Sequence, residues 1–160
     1  MAKVIANESQ VIVEPWWVRG RIVFIGAGLG LVWWVLTSLL RHYVVEPLAC
    51  QNLSSATACV DSFGVSGNIA TVLVALLGTY ILIRFVQPRP IVITLASAVL
   101  LWDIAAFMDG LGWFETLLWG IVLYAIAYTL FSLIARIRLL AVALAVAAVV
   151  VLVIRILIAL

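Results

Sequence analysis

Charge is what this chain has least of. Asp, Glu, Lys and Arg together make up 10% of its 160 residues, where a soluble domain carries about a quarter. That scarcity excludes intrinsic disorder and a nucleic-acid-binding surface, both of which are built on charge. Cysteine is equally sparse, with two residues, too few for a disulfide-built secreted scaffold. The single histidine, His42, has no second His or Cys at ligand spacing, so no metal site is expected. No cofactor motif is expected either. The run Gly26-Ala27-Gly28-Leu29-Gly30 follows no strand and is not a dinucleotide fingerprint.

What fills the chain is hydrocarbon. Hydrophobic residues reach 68% and the mean hydropathy is +1.33, which makes the lipid bilayer the surroundings this composition suits. In lipid every backbone N–H and C=O must be satisfied inside the protein, so long apolar runs become helices. A span takes about 20 residues. Five segments qualify, at 22–40, 66–86, 91–108, 114–135 and 139–160. The expected fold is therefore all-α, a polytopic transmembrane helical bundle formed as one membrane domain over 1–160. Residues 1–18 form a short cytoplasmic or interfacial segment, and residues 41–65 the one substantial outer loop. Only Arg136-Ile137-Arg138 separates the last two spans. Without a turn there, some 45 helical residues would rise about 68 Å, more than twice a hydrocarbon core of about 30 Å. The alternative is four spans plus a bent or interfacial C-terminal helix.

Orientation follows from where the cations fall. Lys3, Arg19, Arg21, Arg84, Arg89, Arg136 and Arg138 collect on one face, and only Arg41 on the other. Glu46, Asp61, Asp109 and Glu115 lie with Arg41. The N-terminus is thus expected in the cytoplasm of a plasma-membrane protein, and the C-terminus outside if there are five spans. Trp16 and Trp17 mark the inner interface, and Tyr43, Trp113 and Trp119 the outer one. No small-residue cleavage site follows the first span, and neither cysteine abuts an apolar core in the manner of a lipidation site.

Few residues are left to carry chemistry. Cys50 and Cys59 share the outer loop, and a disulfide between them would staple it, stabilising by about 2–3 kcal/mol in the chain-entropy model. Their spacing is wrong for a redox-active pair. A charge inside a span needs a partner, and Asp103 and Arg155 are expected at similar depth, as a salt bridge joining the third and fifth spans. His42, Glu46, Asp103, Asp109 and Glu115 form a candidate polar cluster on the outer face. Small residues predict close helix contacts, with Gly26 and Gly30 in the first span and Gly67, Thr71, Ala75 and Thr79 at every fourth position in the second. Ala141, Ala145 and Ala148 suggest the same in the fifth. Tyr124 and Tyr128 lie one turn apart, and their hydroxyls need buried partners, for which Thr94, Ser97, Thr129 and Ser132 are candidates.

Three functions fit these features. The first is a small non-enzymatic membrane protein, a helix-packing subunit or accessory that pairs with other membrane helices, its own copies or another subunit's. The second is a small transporter or channel using Asp103. Against it, no internal repeat occurs, and no span reads as a helix interrupted by Gly or Pro at its middle despite the glycines of the first. The third is a membrane enzyme with an outer-face polar site.

Overall fold

In the computed structural model, backbone is described for residues 16–50, 61–85, 89–135 and 140–159. Side chains are described over 20–48, 61–85, 89–135 and 141–154 and at 156. The described residues are all helix and turn. The elements are α1 (Trp16–Leu40), a π-helical segment (Arg41–Val45), α2 (Glu46–Cys50), α3 (Ser62–Arg84), α4 (Pro90–Leu100), α5 (Ile104–Phe107), α6 (Trp113–Ile134) and α7 (Leu140–Ala159).

Four stretches are long and apolar enough to cross a membrane: Gly20–Leu48, Ser62–Arg84, Pro90–Phe107 and Trp113–Ile134. By helix length and composition this is a small multi-pass membrane protein. The C-terminal helix has a shorter apolar stretch, Ala141–Ile154, and packs against α4 and α6. α1 packs on α6 and α3, α3 on α4 and α5, and α4 on α6. The four long stretches therefore enclose one core. Into it point Leu29, Trp33, Ala70, Val74, Tyr124, Tyr128 and Phe131, while Phe24, Leu76, Ile91, Leu95 and Ile126 stand on the outside. Where oiliness alone gives no inward drive, helices in lipid meet through small residues and hydroxyls, here Gly26, Gly30 and Thr71 beside the buried aromatics. Buried threonines satisfy themselves by donating back to the carbonyl one turn earlier, as Thr37 does to Trp33 at 2.8 Å.

Several sequence expectations change. The segment read as an outer loop, 41–65, is helical over Arg41–Cys50 and again from Ser62. α1 runs on through the π segment, in which the Glu46 N–H reaches back to the Arg41 carbonyl. The wide turn ends just before Pro47, whose ring would clash with the carbonyl four residues back in a regular α-helix. The third span, read as continuous, breaks at Leu101-Trp102-Asp103, with Asp103 left-handed at φ 63°. Neither Gly nor Pro marks the break; Asp is among the few side chains that tolerate this conformation. Among the described side chains of α7, Ala143 and Ala147 are buried, whereas Ala141, Ala145 and Ala148 are exposed. With alanine recurring so densely, the neighbouring helix selects the face.

Candidate functional site

The ends of the long helices differ in charge. Arg21, Arg84 and Arg89 lie at one end, while Glu46, Asp61, Asp109 and Glu115 lie with Arg41 at the other, here termed the acidic end. There the π segment, the start of α3 and the Gly110 turn surround a cavity of about 420 Å³. Trp34, Ser38, Arg41, His42 and Glu46 line one side, Phe63 another, and Met108, Asp109, Gly110, Leu111, Trp113 and Thr116 the rest. The π turn explains the polar side. Arg41 and Glu46 are five residues apart, which separates them on an α-helix but brings them together across one i→i+5 turn. Arg41 Nε donates to Glu46 Oε1 at 3.0 Å, and His42 Nδ1 stands 3.7 Å from Glu46 Oε2. The Arg41 guanidinium also caps the Phe63 ring at 5.7 Å. Trp34 and Trp113 meet at 6.5 Å between ring centroids, tilted by 47°. Because the side chains of Arg41 and Glu46 are 46% and 39% exposed, Arg41→Ala is expected to cost less than about 1 kcal/mol. A thermal-melting series with and without salt measures this; a larger, salt-insensitive loss would mean the pair is structural.

A second polar site lies at the break in the third span. Asn68, on the second turn of α3, faces Asp103. The Asn68 amide Nδ2 donates to Asp103 Oδ1 at 2.7 Å, and the Asp103 backbone N–H donates to Asn68 Oδ1 at 3.0 Å. One side chain thereby replaces a helical partner that the break withholds and holds the carboxylate as well. Just below, the Gly67 Cα faces Ala105 at a distance that leaves no room for a side chain. This contact seats α5 against α3 and fixes the break. No family model, no curated protein and no solved structure matches this chain. Its chemistry is therefore read from these two sites alone.

The five residues expected as one outer cluster divide. His42, Glu46 and Asp109 line the cavity. Glu115 accepts the Gly112 N–H at 3.3 Å, capping α6. Asp103 is held by Asn68 instead. The Arg155 side chain, its expected partner, lies outside the described residues, as do the side chains of Cys50 and Cys59. The helix-packing residues are met within the chain. Gly26 and Gly30 seat α1 on the α6 backbone at Ala125 and Gly120. Thr71 accepts the Trp33 indole N–H at 3.1 Å, and Thr79 and Thr94 share a hydrogen bond at 2.7 Å. Ala75 lines a groove between α3 and α4. Three of the expected partners of the tyrosine hydroxyls are otherwise engaged: Thr94 bonds to Thr79, and Thr129 and Ser132 donate to backbone carbonyls. The fourth, Ser97, is buried, and its hydroxyl meets no partner among the described residues. The group that Tyr124 reaches is Thr71, at 3.5 Å. Sequence reasoning passed over Asn68, although an amide inside an apolar span is a signal of the same kind as Asp103.

Proposed function

We propose that this protein is a small multi-pass transporter that handles a cation at Asp103. The observation that carries the reading is the third span broken at a carboxylate whose backbone and side chain are both clipped by Asn68. Discontinuous helices place a charge where an ion or substrate can use it, and an ionisable group within a span marks such a pathway. The accessory-subunit reading loses its main support, because the Gly26/Gly30 and Gly67/Thr71 contacts are taken up inside the chain. The positive-inside rule sets the acidic end outside the plasma membrane. α7 then forms a fifth span, since its 20 residues rise about 30 Å, and the C-terminus is outside.

The test is flux. Purified protein in liposomes, loaded with a proton- or sodium-sensitive dye, is expected to dissipate an imposed cation gradient. Asp103→Asn is expected to slow this at least about tenfold, the scale of losing one charged interaction, while Asp103→Glu retains part of it. Flux equal to that of empty liposomes, or unchanged in Asp103→Asn, removes the reading. A second reading, an outer-face enzyme, is favoured by His42 standing against Glu46 in a cavity that also holds the Ser38 and Thr116 hydroxyls. An activity lost in His42→Ala but kept in Asp103→Asn would favour it.

A further inference from the structure

We infer that the cation handled at Asp103 is a lipid-soluble organic one, an ammonium carrying an apolar body, which reaches the carboxylate from the bilayer along the groove between α3 and α4. The inference rests on the reading of Asp103 as the transport residue and names its substrate class.

The groove encloses about 500 Å³. Val72 and Leu76 form its α3 wall, Ile91, Leu95 and Val99 its α4 wall, and Trp102 stands at its acidic end. Leu76, Ile91 and Leu95 are each more than 60% exposed, so in a membrane the groove opens sideways into lipid. The only hydroxyls along it, Thr79 and Thr94, bond to each other and back to the Ala75 and Pro90 carbonyls. Thus the groove selects by shape and apolarity. From Ile91 to Trp102 it extends about 17 Å along the helix, enough for an extended alkyl chain or a set of aromatic rings.

The charged group continues the same line. Asn68 sits one turn beyond Val72 on α3, and Asp103 follows Trp102 directly. Asp103 is exposed and, among the described residues, its carboxylate meets the Asn68 amide and no cation. The half-exposed Trp102 ring adds an aromatic face beside it. A bare metal ion would use the carboxylate and gain nothing from the groove. A neutral lipid would use the groove and leave the charge unmatched. A zwitterionic phospholipid would bring its phosphate against Asp103. A singly charged amphiphilic ammonium satisfies both halves.

Equilibrium dialysis of labelled dodecyltrimethylammonium against the full chain in phosphatidylcholine nanodiscs tests this. Saturable binding is expected, weakened about tenfold or more in Asp103→Asn, as for loss of a charge-assisted contact, and retained in Asp103→Glu. Ala98→Phe, which fills the groove from α4, is expected to weaken binding similarly. Dodecanol and dodecyl sulfate are expected not to compete. Asp103-dependent flux without saturable amphiphile binding overturns the substrate class and leaves the transport reading standing. Binding indifferent to Asp103→Asn, or displaced equally by dodecanol, also overturns it. Asp103-dependent binding with no flux of any cation upholds the site and removes transport.

Discussion

Gly30→Leu is expected to abolish accumulation of folded protein, whereas Gly28→Leu, two residues away, leaves it unchanged. A Cβ at Gly30 would lie 2.6 Å from the Gly120 carbonyl oxygen and 2.8 Å from the Ile121 Cα. One turn earlier, a Cβ at Gly26 would lie 2.9 Å from the Ala125 Cα. These are backbone atoms of α6, so no rotamer change relieves the clash; α1 and α6 must part. Separation would also lift Gly120 off the Trp33 ring, which it covers closely enough that a Cβ there would come within 3.2 Å. Overpacking costs about 1–3 kcal/mol where side chains can shift, and the upper end applies here, a shift in the folding equilibrium of about 100-fold. A Cβ at Gly28 meets nothing within 4 Å, so Leu there only adds to the lipid face. Thermal melting in detergent, read by size-exclusion profile, decides the matter. Equal profiles for the two variants would mean that α1 and α6 do not meet at this seam.

That seam also shows how far the sequence reaches. The Gly26 and Gly30 spacing announces a close contact, yet nothing local says that the partner is Gly120, some 90 residues away, or that it belongs to the same chain. Span lengths follow from hydropathy because the bilayer's thickness sets them. Irregular turns do not, because each depends on a single residue overridden by its surroundings. The π turn rests on Pro47, and the break at Asp103 rests on Asn68 from another helix. For the same reason the outer cluster was only partly legible. Charge at helix ends predicts which face a residue shares, and the geometry then assigns Glu115 to a cap and Asp103 to α3.

Trp33→Ala is expected to destabilise the bundle by about 3–5 kcal/mol, the cost of deleting a fully buried large aromatic, and Trp33→Phe by about 1–2 kcal/mol, a small cavity plus one hydrogen bond. Trp33 is completely buried, its ring tilted 35° to that of Tyr124 with centroids 5.9 Å apart. Its indole N–H donates to the Gly67 carbonyl at 3.2 Å and to Thr71 Oγ1 at 3.1 Å. Phe keeps most of the volume but removes the N–H together with part of the fused ring, leaving a small cavity. Thr71 still donates to Gly67 at 2.9 Å, so no buried hydroxyl is stranded, and a single hydrogen bond between helices in a membrane contributes about 0.6 kcal/mol. Both variants lose the N–H, so the difference between them reads the volume removed, and denaturation in mixed micelles measures it. They also bear on the route of transport. Trp33, Tyr124 and Tyr128 fill the space between α1, α3 and α6. If a cation crossed there, Trp33→Ala would open the path and raise flux per folded molecule. A route along the lateral groove between α3 and α4 leaves flux per folded molecule unchanged in Trp33→Ala, while Ala98→Phe still blocks the amphiphile.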